Sequence, residues 1–136
     1  MGTWRVNAAY LDASALVKLF KHEPETDALV AALEKWPVRV ASELIRVEAI
    51  CTARRIGDKD TLERAHATLT RLTLLPIDSR IIDLATEEYR PPLRAMDAIH
   101  LATALSVRAE LGVVFVYDTD LHAAACAQNL NALAPA

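Results

Sequence analysis

Short apolar runs closed by a polar or turn residue recur along the chain: Ala8 to Leu11 before Asp12, Val38 to Ala41, Leu74 to Ile77, and Val113 to Tyr117 before Asp118. Runs of this length predict buried strands. Between them apolar residues return at helical spacing. This predicts helices over Ser14 to Lys21, Glu25 to Trp36, Glu43 to Ile56, Lys59 to Leu72, Arg80 to Tyr89, Asp97 to Leu111 and Leu121 to Gln128. Ser42, Asp58 and Asp78 stand where helix N-caps are expected, Gly57 and Gly112 where helices stop, and Pro91-Pro92 breaks the pattern. Uniformly apolar strands alternating with helices predict an α/β fold: a mainly parallel central sheet flanked by helices in a three-layer sandwich. In such sheets the functional crevice lies beyond the carboxyl ends of the strands.

Composition narrows the class. With 136 residues, 53% hydrophobic and 24% charged, and only 3 Gly and 6 Pro, the chain fits a single domain over residues 1–136 and is not a disordered segment. No apolar stretch is long enough to span a membrane, and Met1 to Tyr10 lacks the basic and apolar parts of a signal peptide, so a soluble cytoplasmic protein is expected. Cys51 and Cys126 are far apart and the 4 histidines form no metal-binding pair, which argues against a disulfide framework and a zinc site. The balance of 15 basic against 18 acidic residues, net −3, is not that of a free-standing nucleic-acid binder. It is compatible with a nuclease whose site carries carboxylates with a few arginines around it.

The acids carry the candidate chemistry. Asp12 and Asp118 each end a predicted strand, so a parallel sheet brings both to one edge; a helix N-cap is the competing role for each. Glu48 lies between Leu44 and Cys51 with Val47 beside it, which puts a carboxylate on the predicted apolar stripe of its helix. Burying it alone costs several kcal/mol, so it calls for a cation or an arginine such as Arg55. Asp97 opens a helix whose Leu101 and Ala104 share its face, with stabilisation of the helix dipole as the competing role. Asp78 reads as a cap, and Asp120 stays open as an alternative to Asp118. His100 reads as a packed core histidine without chemistry. Glu23, Glu25, Glu34, Asp58 and Asp60 read as solvated surface.

Carboxylates gathered within several ångströms repel by on the order of 3 kcal/mol per pair at an effective dielectric of about 20, and so need a cation or protons. An all-oxygen set selects Mg²⁺ or Mn²⁺, and such a centre suits phosphodiester hydrolysis. There is no GxxxxGK[ST] loop, no GxGxxG, and no second acid two residues after Asp12.

Tyr10-Leu11-Asp12-Ala13-Ser14-Ala15-Leu16-Val17-Lys18 and Met96-Asp97-Ala98-Ile99-His100-Leu101-Ala102-Thr103-Ala104 resemble two signatures of the PIN-domain family, within it the VapC-type toxins of toxin-antitoxin modules. Glu48 fits the family's acid on the third helix, and Val116-Tyr117-Asp118-Thr119-Asp120-Leu121 resembles its last segment, with Val116 where many relatives carry Thr. The resemblance implies a PIN fold and Asp12, Glu48, Asp97 and Asp118 around Mg²⁺, with Ser14 in support at a metal water or phosphate. It also implies a growth-inhibiting endoribonuclease, a cognate antitoxin and a homodimer. The family includes enzymes that cut transfer RNA and others that cut ribosomal RNA, and no residue here decides between the two as substrate. Arg90 and Arg94 are the nearest basic candidates for RNA contact, followed by Lys18 and Arg55. The competing reading is a non-catalytic PIN-like module that binds RNA or protein. Leu16, Leu19, Phe20, Leu29, Val30 and Leu33 offer more apolar surface than one sheet face needs, a candidate groove for an antitoxin helix.

Overall fold

The computed structural model describes residues 7–136; the first six residues of the segment read above for a signal peptide lie outside them. Strands β1 (Ala8–Leu11), β2 (Val38–Ser42), β3 (Thr73–Leu75), β4 (Leu111–Phe115) and β5 (Ala132–Leu133) form one sheet in the order β3-β2-β1-β4-β5. Every adjacent pair is parallel. Helices α1 (Ala13–Phe20) and α2 (Thr26–Leu33) join β1 to β2, and α3 (Leu44–Ile56) and α4 (Lys59–Leu69) join β2 to β3. The chain then crosses back through α5 (Ser79–Ala85) and α6 (Ala95–Ser106) to β4, and α7 (Thr119–Ala127) leads to β5.

The period-two alternation of the strands divides the core. Ala9 and Leu11, with Val113 and Phe115, pack with Leu16, Phe20, Leu29, Leu33 and Ile45 on one side of the sheet. Ala8 and Tyr10, with Val114 and Val116, pack with Leu101, Ala104, Leu121 and Ala125 on the other. The three-layer sandwich is therefore the observed architecture. Since β1 leads outward to β2 while β4 starts the other half, the topological switch lies between β1 and β4, and a crevice is expected at their carboxyl ends.

The structure differs from the sequence reading at several boundaries. β5 was not predicted, because two residues carry no legible period. Gly112 lies inside β4 and stops no helix: α6 ends at Ser106, and a 3-10 turn over Arg108–Glu110 leads into the strand. Gly57 does end α3, in the left-handed conformation (φ 94°) that glycine adopts at little cost. Leu16, Phe20, Leu29 and Leu33 are core residues, so of the proposed groove only Leu19, Val30 and the edge of Leu33 remain, lining a cavity with Arg39, Arg71 and Leu72.

Candidate active site

Asp12 follows β1 directly and caps α1, its Oδ1 accepting the Ala15 N–H at 3.0 Å. It is 2% exposed. The Ser14 hydroxyl donates to the same carboxylate at 2.7 and 2.9 Å and accepts the backbone N–H of Tyr117 at 2.9 Å and of Asp118 at 3.3 Å. Ser14 thus ties the end of β1 to the segment after β4. Its hydroxyl is spent on these bonds, so its support for the site comes through Asp12 and the Asp118 backbone.

Asp118 caps α7, its Oδ1 accepting the Leu121 N–H at 2.8 Å. The cap role expected as a rival is therefore real for Asp12 and Asp118, and it coexists with their meeting at one sheet edge. Asp78 is a cap at α5, as read. Asp97 is different. Arg94 holds the N-cap position of α6, so Asp97 sits in the first helical turn, half-buried, with Ala98, Leu101 and Ala104 buried on the same helix. A side-chain cap does not explain it; the dipole role expected as a rival fits its place in the first turn and coexists with its partial burial.

Glu48 projects from α3, whose buried residues are Ile45, Ala49 and Ala53; Val47 and Cys51 are exposed, so the apolar stripe runs one residue away from the predicted one. Its carboxylate is nonetheless largely covered, with 15% side-chain exposure, because it reaches His100 on α6, Oε1 to Nε2 at 2.6 Å. Arg55, the partner expected from spacing, is exposed and bonds Thr52 instead. It lies seven residues along the helix, whereas His100 comes from across the fold. His100 in turn meets the Tyr10 hydroxyl through Nδ1 at 2.7 Å, and that hydroxyl accepts the Ser42 N–H at 3.1 Å. His100 is the core residue it was read to be, and it also anchors a site acid. Sequence reasoning missed this pairing, although a histidine and a tyrosine at strongly buried positions require polar partners.

The electrostatics knit the acids together. Burial pushes the Asp12 carboxyl up to about 6, against the pull of His100 and the hydrogen bonds from Ser14 and Ala15. Asp97 is raised by burial first, then by the neighbouring charge of Asp118 and, more weakly, of Glu48, while His100 and Arg94 pull it down. Asp97, Asp118 and Asp120 line a cavity of about 570 Å³ with Pro92, Leu93 and Arg94. Asp120 shares that cavity, but among the described residues it does not figure in the charges that raise Asp97. No three Asp, Glu, His or Cys side chains among the described residues already close around one point. What exists is a crevice with Asp97 of α6 and Asp118 and Asp120 at the start of α7 at its rim; Asp12 and Glu48 are not among the residues that line it.

The basic candidates divide. Arg94 faces this crevice. Arg90 pairs with Glu88 at 3.2 Å on an adjacent cavity that shares Pro92 and Leu93 with it. Lys18 is held by Glu23 and Glu25 at 3.0 and 2.9 Å and lies over the Tyr117 ring.

The donor set suits a hard divalent cation: it is all oxygen, its Asp12 and Asp97 carboxyls are desolvated, and Asp97 is raised further by the charges of Asp118 and Glu48.

The PIN domain family profile matches residues 9–127. Ribonuclease VapC46 of Mycobacterium tuberculosis is 41% identical over 130 residues, covering 94% of this chain and 98% of its own length. Among solved structures, a toxin-antitoxin complex from Klebsiella pneumoniae aligns with a TM-score of 0.66 at 26% identity, over 82% of this chain and 88% of that one. The fold also matches Mycobacterium tuberculosis VapC20, described as a sarcin-ricin loop cleaving toxin, with a TM-score of 0.69 at 16% identity over 93% of this chain and 99% of that one. With the profile spanning both halves of the sheet and relatives of this name aligned end to end, the chain belongs to the PIN-domain family, among its VapC ribonucleases.

Proposed function

We propose that this protein is a Mg²⁺-dependent endoribonuclease, the toxin of a toxin-antitoxin module, with Asp12, Glu48, Asp97 and Asp118 as the acids that hold the ion. The observation that carries the reading is Asp97: half-buried, without a cap role, and raised by burial together with the charges of Asp118 and Glu48. Such an arrangement destabilises the ionised acids unless a cation is present. When bound, Mg²⁺ (or Mn²⁺ in its place) supplies the balancing charge and the Lewis acidity that makes a water nucleophilic near neutral pH and polarises a phosphoryl oxygen.

The chain's own residues do the rest. Asp12 is fixed by Ser14 and the α1 N-terminus, Glu48 by His100, and Asp118 by its cap to Leu121. Hydrolysis adds water at phosphorus and breaks the bond to O3′, giving a 5′-phosphate and a 3′-hydroxyl. Arg94, at the crevice, is suited to a phosphate of the bound strand, and the shared wall of Pro92 and Leu93 leads on to Arg90. An antitoxin partner is supported by the relatives' complexes, and the cavity of Leu19, Val30 and Leu72 is the apolar anchor we assign to its helix. A homodimer and a cytoplasmic setting complete the reading.

The test is purified protein with an RNA pool, a Mg²⁺ or Mn²⁺ titration, and mapping of product ends. Metal-dependent cuts bearing 5′-phosphates are expected. Cleavage persisting in excess chelator refutes the mechanism, and RNA binding without cleavage at any metal concentration returns the protein to the non-catalytic PIN-like module.

A further inference from the structure

We infer that Tyr10 and His100 are positioning residues: a buried relay, anchored on the sheet, that fixes the orientation of the Glu48 carboxylate. The inference rests on the reading of Glu48 as a site acid. An ionised carboxylate can only accept, so the 2.6 Å contact requires the proton on His100 Nε2. On its other side Nδ1 meets the Tyr10 hydroxyl at 2.7 Å, accepting from it in the neutral imidazole and donating to its oxygen in the imidazolium, so the line is closed in either state. The same hydroxyl oxygen receives the Ser42 N–H at 3.1 Å. The line runs from the backbone at the end of β2, through a side chain of β1, through α6, to the acid on α3.

A packing role alone does not account for it. Tyr10 and His100 are 1% exposed each, and a phenylalanine and a leucine would fill comparable space without desolvating two polar groups. What the polar pair adds is direction. Glu48 has three rotatable bonds and, on its own helix, exposed neighbours in Val47 and Cys51. The relay holds Oε1, and no other group among the described residues hydrogen-bonds Oε2, which keeps its lone pairs for another ligand. Partners one layer behind a ligand commonly change metal affinity or activity by about 10 to 100-fold when removed.

The experiment compares the parent with His100→Leu, His100→Gln and Tyr10→Phe. It reads Mn²⁺ binding to RNA-free protein by electron paramagnetic resonance, kcat and KM on RNA, and the ¹⁵N signals of the His100 ring. His100→Leu is expected to weaken Mn²⁺ binding and lower kcat by about tenfold each, with KM for RNA within about twofold. His100→Gln, which keeps an N–H donor toward Glu48, should recover most of the loss, and Tyr10→Phe should show a smaller loss in the same direction. The parent should show a protonated Nε2. The relay is overturned if His100→Gln is no better than His100→Leu, which marks simple packing, or if folded Tyr10→Phe matches the parent in both binding and kcat. That second variant deletes one hydroxyl, so it decides the matter even where His100→Leu does not fold. A parent that binds no Mn²⁺ but shows the expected ring signals overturns the metal reading and the relay's role with it, which separates that failure from the loss of the relay alone.

Discussion

Asp12 and Asp58 do the same local job in two different parts of the fold, at the starts of α1 and α4. Each caps a helix, Asp12 accepting Ala15 N–H at 3.0 Å and Asp58 accepting Thr61 N–H at 2.7 Å. Their charges behave in opposite ways. The bonds from the Thr61 backbone and hydroxyl hold the exposed Asp58 below the usual carboxylate range, while burial drives Asp12 up to about 6 despite a comparable set of bonds. A cap is thus enough to explain Asp58 and not enough to explain Asp12. The difference is location: Asp12 lies buried at the switch between β1 and β4, near His100 of α6 and joined through Ser14 to the backbone after β4.

The largest effect expected from this contrast is on cleavage. Asp12→Asn and Asp97→Asn should each abolish metal-dependent RNA cleavage in end-mapped assays, while Asp58→Asn leaves it at the parent level. Asn can still cap, so folding should survive in Asp12→Asn. Activity lost equally in Asp58→Asn would mean that global stability, rather than the site, is being read.

Next in size is the distinction between the late acids. Asp118→Ala should lose far more activity than Asp120→Ala, because only Asp118 is tied through its backbone to Ser14 and coupled to Asp97. Equal losses, or the reverse order, would put the last acid two residues further on.

A smaller effect lies in the pH dependence of metal-free stability. The folded carboxyl of Asp12, at about 6, exceeds the ordinary aspartate value of 3.8, so the folded state binds the proton more tightly. Its stabilising contribution is full below about 3.8 and is lost as pH rises through about 6, on the order of 2 to 3 kcal/mol for such a shift. Asp97 acts in the same direction. Asp58, lowered, acts the other way: its contribution is present above the unfolded value and lost as pH falls. Denaturant melts without metal should therefore show Asp12→Asn gaining on the parent as pH rises from 4 to 7, and Asp58→Asn losing slightly. A gap between Asp12→Asn and the parent that does not change with pH would contradict the burial account.

Much of this was legible in the chain. Asp12 at the end of β1 followed from an apolar run closed by an acid; Asp118 lies three residues beyond β4, which ends at Phe115 rather than Tyr117, and Ser14 joins its backbone to the Asp12 carboxylate. Asp97 was legible from Leu101 and Ala104 one and two turns on. Glu48 was found for a partly mistaken reason: the stripe of Leu44, Val47 and Cys51 is not the buried one, and the acid is covered by His100, reached across the fold. That contact joins residues 52 apart in sequence, and the Tyr10 to His100 bond joins residues 90 apart. Local periodicity carries no record of such pairs. The same limit hid β5, whose two residues gain their identity only from pairing with Val114 and Phe115.

The most direct test of the central claim, that the carboxylates of this sheet edge exist to hold a divalent ion, is the melting temperature of parent and Asp12→Asn at pH 7.5 with and without Mn²⁺. The account predicts that Mn²⁺ raises the parent's melting temperature, and that Asp12→Asn melts higher than the metal-free parent and responds little to Mn²⁺. An Asp12→Asn protein that melts lower than the metal-free parent, with Mn²⁺ shifting neither, would contradict it.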